Sequence, residues 1–429
     1  MVKCSNMKAY TNNQPPMKTT QPFDHSAFRL FNLLIFLSAT ALATPRLETP
    51  ANGETVRQLK PLQATFVQES QKEREKYFDG DKHARRMRAQ KNGPQPIKLA
   101  WKGGEPPYRV TVKRLPDGKE FYSFSTKTNC VSIDSLEIAR DWEWTVTDAD
   151  GTAKGMFKTE DLAPRLIAEM PNCRDIGGRI GLNGRRIRQG LVYRSAGLNH
   201  NAPIEYYTKD EILALDKAGK LDKMGKQGHR LHKKIKAGED FEEKKALLKR
   251  ECYTPGKKRF TDEEVKTILS RYGIRSDIDL RRDNECYGMT GSPLGDGVTW
   301  YHYSYSAYGG LAGVNGTNST RKVFQVFLDE KNYPIDFHCI GGADRTGTVA
   351  FLLEALLGVD ENNLYMDYLF TGFSGVVNNP AHKKSIDSLA DFLRRFPGET
   401  WAERAENYFK AIGFTQKDID FIREFLLEK

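Results

Sequence analysis

Residues 338–348 read HCIGGADRTGT, and the segments on either side of this stretch indicate the fold of the second half of the chain. Residues 335–338, IDFH, lead directly into it and are predicted to form a short strand. Residues 348–357, TVAFLLEALL, follow it and predict a buried helix, because the segment is apolar on all sides. A strand, a glycine-containing loop and a helix N-terminus together form a geometry that binds anions.

The loop carries a thiol and a guanidinium six residues apart, at Cys339 and Arg345. Backbone N–H groups and the helix dipole lower the pKa of a cysteine in such a loop well below its usual value of about 8.5. Arg345 can fold back and bind two oxygens of one phosphoryl group. The sequence therefore predicts that Cys339 attacks phosphorus and forms a covalent intermediate. The alternative is an inert thiol at the end of a strand.

The other loop residues have predicted roles around this pair. We expect Thr346 to donate a hydrogen bond to the sulfur when it leaves in the second step, and His338 to orient the loop rather than to act as a base. The phosphate-binding loop is predicted to consist of Ile340, Gly341, Gly342, Ala343, Asp344 and Arg345.

A proton donor for the leaving oxygen is also needed, because an alkoxide or phenolate departs slowly without one. Residues 299–320 precede the loop and contain no Asp or Glu, and Asp344 is the carboxylate that lies inside the loop. The sequence predicts that Asp344 donates this proton. The alternative is that Asp344 only orients Arg345 or caps the helix. Asp283 and Asp296 are reserve candidates.

The same spacing occurs a second time, from Cys173 to Arg179, so the spacing alone is weak evidence. Cys173 follows Met170 and Pro171, has no predicted strand before it, and has no apolar helix behind it. Context therefore favours Cys339. A tight turn with a local ion pair is the simplest interpretation of the segment around Asp175.

The extended motif His338-Cys339-x-x-Gly342-x-Asp344-Arg345-Thr346-Gly347 resembles the signature loop of bacterial protein-tyrosine phosphatases of the Cys-dependent superfamily. Three upstream segments resemble that family's landmarks in the expected order: residues 172–178, 193–195 and 278–281. The resemblance covers roughly residues 165–375. It implies Cys339 as nucleophile, Arg345 as phosphate binder, and no metal or organic cofactor.

Two alternatives to a tyrosine phosphatase of single or dual specificity remain open. The first is an inositol-phosphate or phosphoinositide phosphatase, which is disfavoured because Ala343 occupies a position where related enzymes often carry Lys. The second is a binding module that recognises phosphate without catalysis, which the intact Cys339 and Arg345 argue against. The expected partner is a phosphotyrosine protein or peptide, or a small phosphate monoester.

The fold class predicted for the second domain, residues 165–429, is α/β with a mostly parallel sheet flanked by helices. Strands are expected at 274–280 and 298–303, and helices at 321–329, 389–396, 401–412 and 417–427. A small all-β sandwich is expected before it at 49–160, because short alternating strands recur at 97–101, 108–112, 131–133 and 142–146. Its strand spacing resembles fibronectin type III and immunoglobulin-like modules.

The chain has 429 residues and a formal net charge of +10, which raises the question of an anionic partner. Residues 208–260 hold 16 Lys and Arg against 9 Asp and Glu. Few aromatic residues accompany these charges, so a solvated basic insert is expected rather than a nucleic-acid site.

Residues 1–43 resemble a processing segment. An apolar run at 30–37 follows Arg29, is too short to span a bilayer, and is followed by Ala41-Leu42-Ala43, a small-x-small cleavage pattern. We expect a signal peptide cleaved near Ala43 and a secreted or periplasmic protein with no stable membrane span. The six cysteines are too few for a disulfide scaffold, and no C-x-x-C pair indicates a zinc site.

Overall fold

The computed structural model describes residues 44–78, 87, 93–203, 205–249, 255–374 and 382–429. The predicted processing segment, residues 1–43, lies outside these residues. The chain divides into two units, one formed by residues up to 64 together with 94–165, and the other by residues 65–93 together with 166–429. Helix α1 spans Pro61–Gln68, across the first boundary, and α2 spans Gln71–Glu75.

The described part of the first unit contains eight strands, which form two sheets. They are β1 (Arg46–Thr49), β2 (Glu54–Val56), β3 (Ile97–Lys102), β4 (Tyr108–Arg114), β5 (Glu120–Thr126), β6 (Cys130–Ile133), β7 (Asp141–Thr147) and β8 (Thr152–Thr159). One sheet has the order β1-β3-β6, and the other has the order β2-β8-β7-β4-β5.

Apolar residues of both sheets in the first unit share one core. Leu99 and Trp101 of β3 pack in the same cluster as Val110 of β4 and Trp142 and Trp144 of β7. Along β7 the buried residues alternate with partly exposed ones, as the period-two pattern predicts. The four predicted strands lie within β3, β4, β6 and β7. The likeness to a fibronectin or immunoglobulin module stays a prediction.

The second unit is built on a six-stranded sheet. Its strands are β9 (Leu166–Ile167), β10 (Cys173–Asp175), β11 (Val192–Ala196), β12 (Ser276–Asp279), β13 (Thr299–His302) and β14 (Ile335–Cys339). The order is β13-β12-β14-β11-β10-β9. The pairs among β13, β12, β14 and β11 are parallel, and β10 is antiparallel to both of its neighbours.

The helices of the second unit lie between these strands in sequence or follow the last of them, as expected of an α/β fold. They are α3 (Lys209–Lys217), α4 (Gly225–Lys236), α5 (Glu243–Ala246), α6 (Asp262–Tyr272), α7 (Val314–Val326), α8 (Asp344–Leu356), α9 (Glu361–Phe370), α10 (His382–Leu393), α11 (Trp401–Ala411) and α12 (Gln416–Leu426). Every residue of α8 from Thr346 to Leu356 is buried, as its apolar sequence predicts. In the described part of the chain, no helix is long and apolar enough to cross a membrane.

Strand register brings the ends of three parallel strands together at one edge of the sheet. Ala196 of β11 pairs with Cys339 of β14, and Asp279 of β12 pairs with His338. The segments that follow these three strands therefore begin next to one another at this edge of the sheet. Loops that follow parallel strands at their carboxyl ends commonly form ligand sites.

Two expectations about this unit were wrong. The predicted helix at 321–329 is helix α7, which begins at Val314 and ends at Val326. Its first turns are rich in Asn, Ser and Thr, which read as a loop, but the hydroxyls of Ser319 and Thr320 bond to the Gly316 carbonyl inside the helix. The segment at Cys173 was expected to have no strand before it, but β9 precedes it and Cys173 itself begins β10.

The basic segment at 208–260 forms helices with a core of their own. The buried residues of this cluster are Ile212, Leu221, Leu231, Phe241, Ala246 and Leu248. Most of its lysines, including Lys220 and Lys226, are exposed. The segment thus has an apolar interior of its own and a basic surface exposed to solvent.

Candidate active site

Cys339 is the last residue of β14, and only 3% of its surface is exposed. Residues 340–343 form the loop, and α8 begins at Asp344. Gly342 has φ +66°, and a Cβ there would lie 2.6 Å from the Ser195 carbonyl oxygen of β11. Glycine is required at this position for both reasons, since the loop must pass close to the neighbouring strand.

Three successive carbonyl groups of the loop accept hydrogen bonds from the surrounding protein. The carbonyl of Ile340 accepts from the Gly197 N–H (3.2 Å), that of Gly341 from Asn172 Nδ2 (2.8 Å), and that of Gly342 from Arg194 Nη2 (2.8 Å). In a trans peptide the N–H points opposite to the carbonyl. The N–H groups of residues 341–343 therefore point away from these partners, which is the arrangement of an anion-binding loop.

Arg345 lies in the first turn of α8 and is held by a carboxylate. Its Nη1 atom lies 2.6 Å from Glu285 Oε2 and donates to the Leu280 carbonyl at 3.2 Å. Burial alone would lower the pKa of Arg345, but the Glu285 hydrogen bond and the charge of Cys339 raise it above its ordinary value. About 15% of its side chain is exposed, so the guanidinium is fixed near the loop yet still reachable.

Asp344, the predicted proton donor, is bound by one tyrosine, which in turn bonds to a second. The Tyr308 hydroxyl donates a hydrogen bond to Asp344 Oδ1 and also bonds to the Tyr368 hydroxyl. Tyr308 comes from the segment after β13, and Tyr368 lies on α9. The structure thus gives the Asp344 side chain partners other than Arg345, and its catalytic role stays a prediction.

His338 is fully buried beside two carboxylates of β12. Its Nε2 atom lies 3.0 Å from Asp277 Oδ1, and its Nδ1 atom lies 4.0 Å from Asp279 Oδ1. Burial would lower the pKa of His338, but the charges of Asp279 and Asp277 outweigh it and raise the pKa to about 9. At neutral pH the ring already carries its second proton, so it cannot accept another. This agrees with an orienting role.

Thr346 and the other loop residues differ in how deeply they are buried. Thr346 is buried, and its hydroxyl has no hydrogen-bond partner among the described residues. Such a hydroxyl retains its donor for a sulfur or a phosphoryl oxygen. Ala343 is buried, whereas Ile340 is 39% exposed at the outer surface of the loop.

The loop rests on a buried cluster of charged side chains. Asp367 of α9 binds Arg174 Nε at 2.8 Å and Arg179 Nη2 at 2.7 Å, and it also binds Arg194. Burial raises the pKa of Asp367, but the three arginines outweigh it and hold that pKa far below its usual range. Arg179 also lies 3.2 Å from Glu354.

Two of the three upstream landmarks contribute side chains that bind the loop carbonyls, and the third contains Asp279, which lies 4.0 Å from His338. Asn172 and Arg194 bind the loop carbonyls, and Asn172 is itself bound by Arg174 at 3.2 Å. Arg281 forms a two-pronged pair with Asp279, with distances of 2.9 and 2.6 Å. Asp175 accepts hydrogen bonds from the Gly177 and Gly190 N–H groups and so shapes a turn.

The reserve acids are not built into the described site. Asp283 is 90% exposed, with His302 3.8 Å away, and Asp296 is exposed. Of the tyrosines in the segment that precedes the loop, Tyr301 bonds to Asn332 and Tyr305 to Thr320. Of these tyrosines, Tyr308 has a hydroxyl that bonds to a loop residue, Asp344.

Sequence reasoning missed Glu285, Asp277 and Asp367, which hold Arg345, His338 and the arginine cluster. Each is far from the loop in sequence and sits in no local motif. One signal existed for two of them: a carboxylate in a strand or helix that is otherwise buried needs a charged partner, and both Asp277 and Asp367 lie in such elements.

The profile of the tyrosine phosphatase family matches residues 166–208 and 256–428, which is half of the chain. The chain belongs to this family. The match is interrupted at the basic segment, between residues 208 and 256. No curated protein matches the chain at significant similarity.

Membership of this family makes the protein a phosphatase that acts on phosphate esters. The loop at Cys339 lies inside the matched residues. Among the residues that the structure describes, no group of three or more His, Cys, Asp or Glu side chains is arranged to hold a metal ion.

Proposed function

We propose that the protein is a Cys-dependent protein-tyrosine phosphatase, with single or dual specificity, that works through a cysteinyl-phosphate intermediate. The observation that carries this proposal is the loop between Cys339 and Arg345. Its three carbonyls are turned outward by Gly197, Asn172 and Arg194, so its N–H groups are preorganised for the oxygens of a phosphoryl group.

In the first step, the Cys339 thiolate attacks phosphorus, an S–P bond forms and the P–O bond to the leaving group breaks. Arg345 and the loop N–H groups hold the three phosphoryl oxygens, where charge is spread in the transition state. Asp344 gives its proton to the leaving oxygen. Arg345 exchanges one hydrogen bond to Glu285 or Leu280 for a bond to the substrate.

In the second step, water attacks the cysteinyl phosphate, the S–P bond breaks and inorganic phosphate leaves. The Asp344 carboxylate takes a proton from the water, which returns it to its starting form. The Thr346 hydroxyl, whose donor has no other partner among the described residues, donates to the departing thiolate. His338 stays protonated throughout and orients the loop.

The substrate class that best fits is phosphotyrosine in a protein or peptide. Burial of Cys339 to 3% exposure suits the long phenyl arm of phosphotyrosine better than a short phosphoserine. Ala343 adds no charge to the loop, whereas a multiply phosphorylated inositol would need additional cations. An inositol-phosphate phosphatase is therefore the second candidate.

Two further parts of the proposal concern the first half of the chain. The processing pattern that ends at Ala43 supports a secreted or periplasmic location, and a bacterial enzyme is the type that the loop motif resembles. The two sheets that share one core support a small β-sandwich module before the phosphatase domain. We propose that this module attaches the enzyme to a surface or a partner.

The mechanism is tested by trapping the intermediate. Wild-type protein is mixed with para-nitrophenyl phosphate and quenched in acid within milliseconds, and peptides are analysed by mass spectrometry. We expect phosphate on the peptide that contains Cys339, inhibition by vanadate, and no effect of EDTA. Phosphate on any other residue, or full loss of activity in EDTA, would contradict the proposal.

The acid is tested with Asp344→Asn on two substrates. We expect a loss of about 10²- to 10³-fold on phenyl phosphate, whose leaving group is poor, and a much smaller loss on para-nitrophenyl phosphate. Equal losses on both would leave Asp344 a structural role only. Phosphotyrosine peptides assayed beside inositol phosphates separate the two candidate substrates.

A further inference from the structure

Asp344 is connected to a pair of buried tyrosines from two other parts of the fold. The Tyr308 hydroxyl donates to Asp344 Oδ1 and bonds to the Tyr368 hydroxyl, and the two rings meet edge to face with centroids 6.2 Å apart. A phenol has one proton to donate. Because Tyr308 donates to the carboxylate, Tyr368 must donate to Tyr308. The hydrogen bonds therefore run in series from Tyr368 through Tyr308 to Asp344.

Both phenols keep their protons under ordinary conditions. Burial raises the pKa of Tyr308, and the neighbouring Tyr368 and Asp344 raise it further. Burial likewise raises the pKa of Tyr368. Each hydroxyl therefore remains a donor over the pH range in which a phosphatase works.

The backbone at Tyr308 is held in an unusual conformation that places this hydroxyl. Tyr308 has φ +55°, a left-handed value that a bulky residue rarely adopts. Such conformations persist where the surrounding structure enforces them, and they cluster at functional sites. The segment is anchored just before this residue and at the residue itself, because the Tyr305 hydroxyl bonds to Thr320 and the Tyr308 N–H donates to Thr348 of α8.

Tyr368 approaches the loop because of a glycine in the loop motif. A Cβ at Gly347 would lie 2.8 Å from Tyr368 Cδ2 and 2.9 Å from its Cε2. Glycine at this position lets the Tyr368 ring pack against the first turn of α8, next to Asp344. Gly347 thus leaves the space that the Tyr368 ring occupies.

We propose that Tyr308 and Tyr368 are positioning residues that hold Asp344 and stabilise the carboxylate formed when Asp344 gives its proton to the leaving group. This inference rests on the proposed role of Asp344. A hydrogen bond to a carboxylate is about twice as strong as one between neutral groups, so the bond from Tyr308 strengthens as the proton departs. Tyr368 polarises Tyr308 and adds to that effect.

The test compares Tyr308→Phe, Tyr368→Phe and the matched control Tyr301→Phe in the full chain. Tyr301 lies on β13, and its hydroxyl bonds to Asn332 rather than to the loop. We expect Tyr308→Phe to lose about 10- to 100-fold in kcat on phenyl phosphate and to stay close to wild type on para-nitrophenyl phosphate. Tyr368→Phe loses about 3- to 10-fold on phenyl phosphate, and Tyr301→Phe changes neither rate.

The pH profile separates stabilisation of the carboxylate from a structural defect. Tyr308 bonds to Asp344, and Tyr368, which bonds to Tyr308, is influenced by the charges of Asp344, Arg194 and Cys339. Removing the donor at Tyr308 raises the pKa of Asp344. The alkaline limb of kcat/KM therefore moves to higher pH in Tyr308→Phe, whereas a structural defect lowers the whole profile without moving the limb.

The Asp344→Asn variant makes the two proposals distinguishable. In that background we expect Tyr308→Phe to cause no further loss, because it acts through Asp344. Equal losses of Tyr308→Phe on the two substrates, or the same loss with and without Asp344, would overturn the inference and leave the acid assignment intact. Equal losses of Asp344→Asn on the two substrates would overturn both, while trapped cysteinyl phosphate would still support the nucleophile.

Discussion

Two segments of this chain have the same spacing of cysteine and arginine, from Cys173 to Arg179 and from Cys339 to Arg345, yet the fold uses them differently. Cys173 is fully buried in an apolar cluster with Ile167 and Leu198. It opens strand β10, so its backbone is in the sheet. Cys339 ends a strand and is followed by a loop and a helix N-terminus. The spacing is shared, but Cys173 is followed by strand residues, whereas Cys339 is followed by a loop whose carbonyls are held by Gly197, Asn172 and Arg194.

The two arginines differ in the same way. Arg179 is buried and contacts two carboxylates, Asp367 at 2.7 Å and Glu354 at 3.2 Å, so its guanidinium is committed to the interior. Arg345 has one carboxylate partner, Glu285, and 15% of its side chain is exposed. An arginine can bind substrate only if it can release a partner at low cost. The comparison shows that function depends on where the charge can be reached, not on the motif alone.

The largest effect is expected from exchanging the two thiols for hydroxyls. Cys339→Ser removes the nucleophile, and we expect at least about a 10³-fold loss of kcat on para-nitrophenyl phosphate with little change in stability. Cys173→Ser places a hydroxyl in an apolar core, so we expect normal kcat per folded molecule and a loss of about 1–3 kcal/mol in the free energy of unfolding. Activity and urea titrations of both variants measure this. Equal activity losses would mean that the segments are not functionally different.

A smaller effect is expected from the two arginines. Arg345→Lys keeps the charge but loses the two-pronged contact, so we expect a loss of about 10²- to 10³-fold in kcat/KM. Arg179→Lys is expected to lose about 1–3 kcal/mol of unfolding free energy and to leave the kinetics of the folded fraction within about threefold of wild type. Kinetics combined with thermal unfolding check both. A catalytic loss in Arg179→Lys without a loss of stability would contradict the distinction.

The smallest effect concerns the residue that precedes each cysteine, His338 in one segment and neutral Asn172 in the other. The pKa of His338 rises from 6.5 to about 9 in the folded protein. A raised pKa means that the stabilisation is fully present below pH 6.5 and is lost as the pH rises through about 9, with an upper bound of about 3 kcal/mol. We expect the difference in unfolding free energy between wild type and His338→Gln to shrink across that range.

Asn172→Ala serves as the control for this pH dependence, because an amide does not titrate there. Its destabilisation should be the same at both ends of the range. An NMR titration of the His338 ring gives an independent measure, with an expected midpoint near 9. A midpoint near 6.5 would show that the carboxylates of Asp277 and Asp279 do not hold the proton on His338.

The sequence was sufficient where the site is local. Cys339, Gly342 and Arg345 lie within seven residues between a strand and an apolar helix, so hydrophobic pattern and glycine content predicted both the elements and the loop. Glu285 and Tyr308 could not be assigned in this way, because tertiary folding alone brings them to Arg345 and Asp344. The start of helix α7 was missed for a different reason: its polar first turns satisfy their hydroxyls within the helix.

The pairing at the ends of the basic segment explains why the fold can accommodate so long an insertion. Backbone bridges between Asn199 and Lys258 and between Tyr206 and Lys249 tie the two ends of the segment together. The entropy cost of closing a loop grows only with the logarithm of its length. Because its ends are paired and its apolar residues are buried together, the segment adds little conformational-entropy cost to the folding of the sheet. The phosphatase fold can therefore carry this charged surface helix cluster without rebuilding its core.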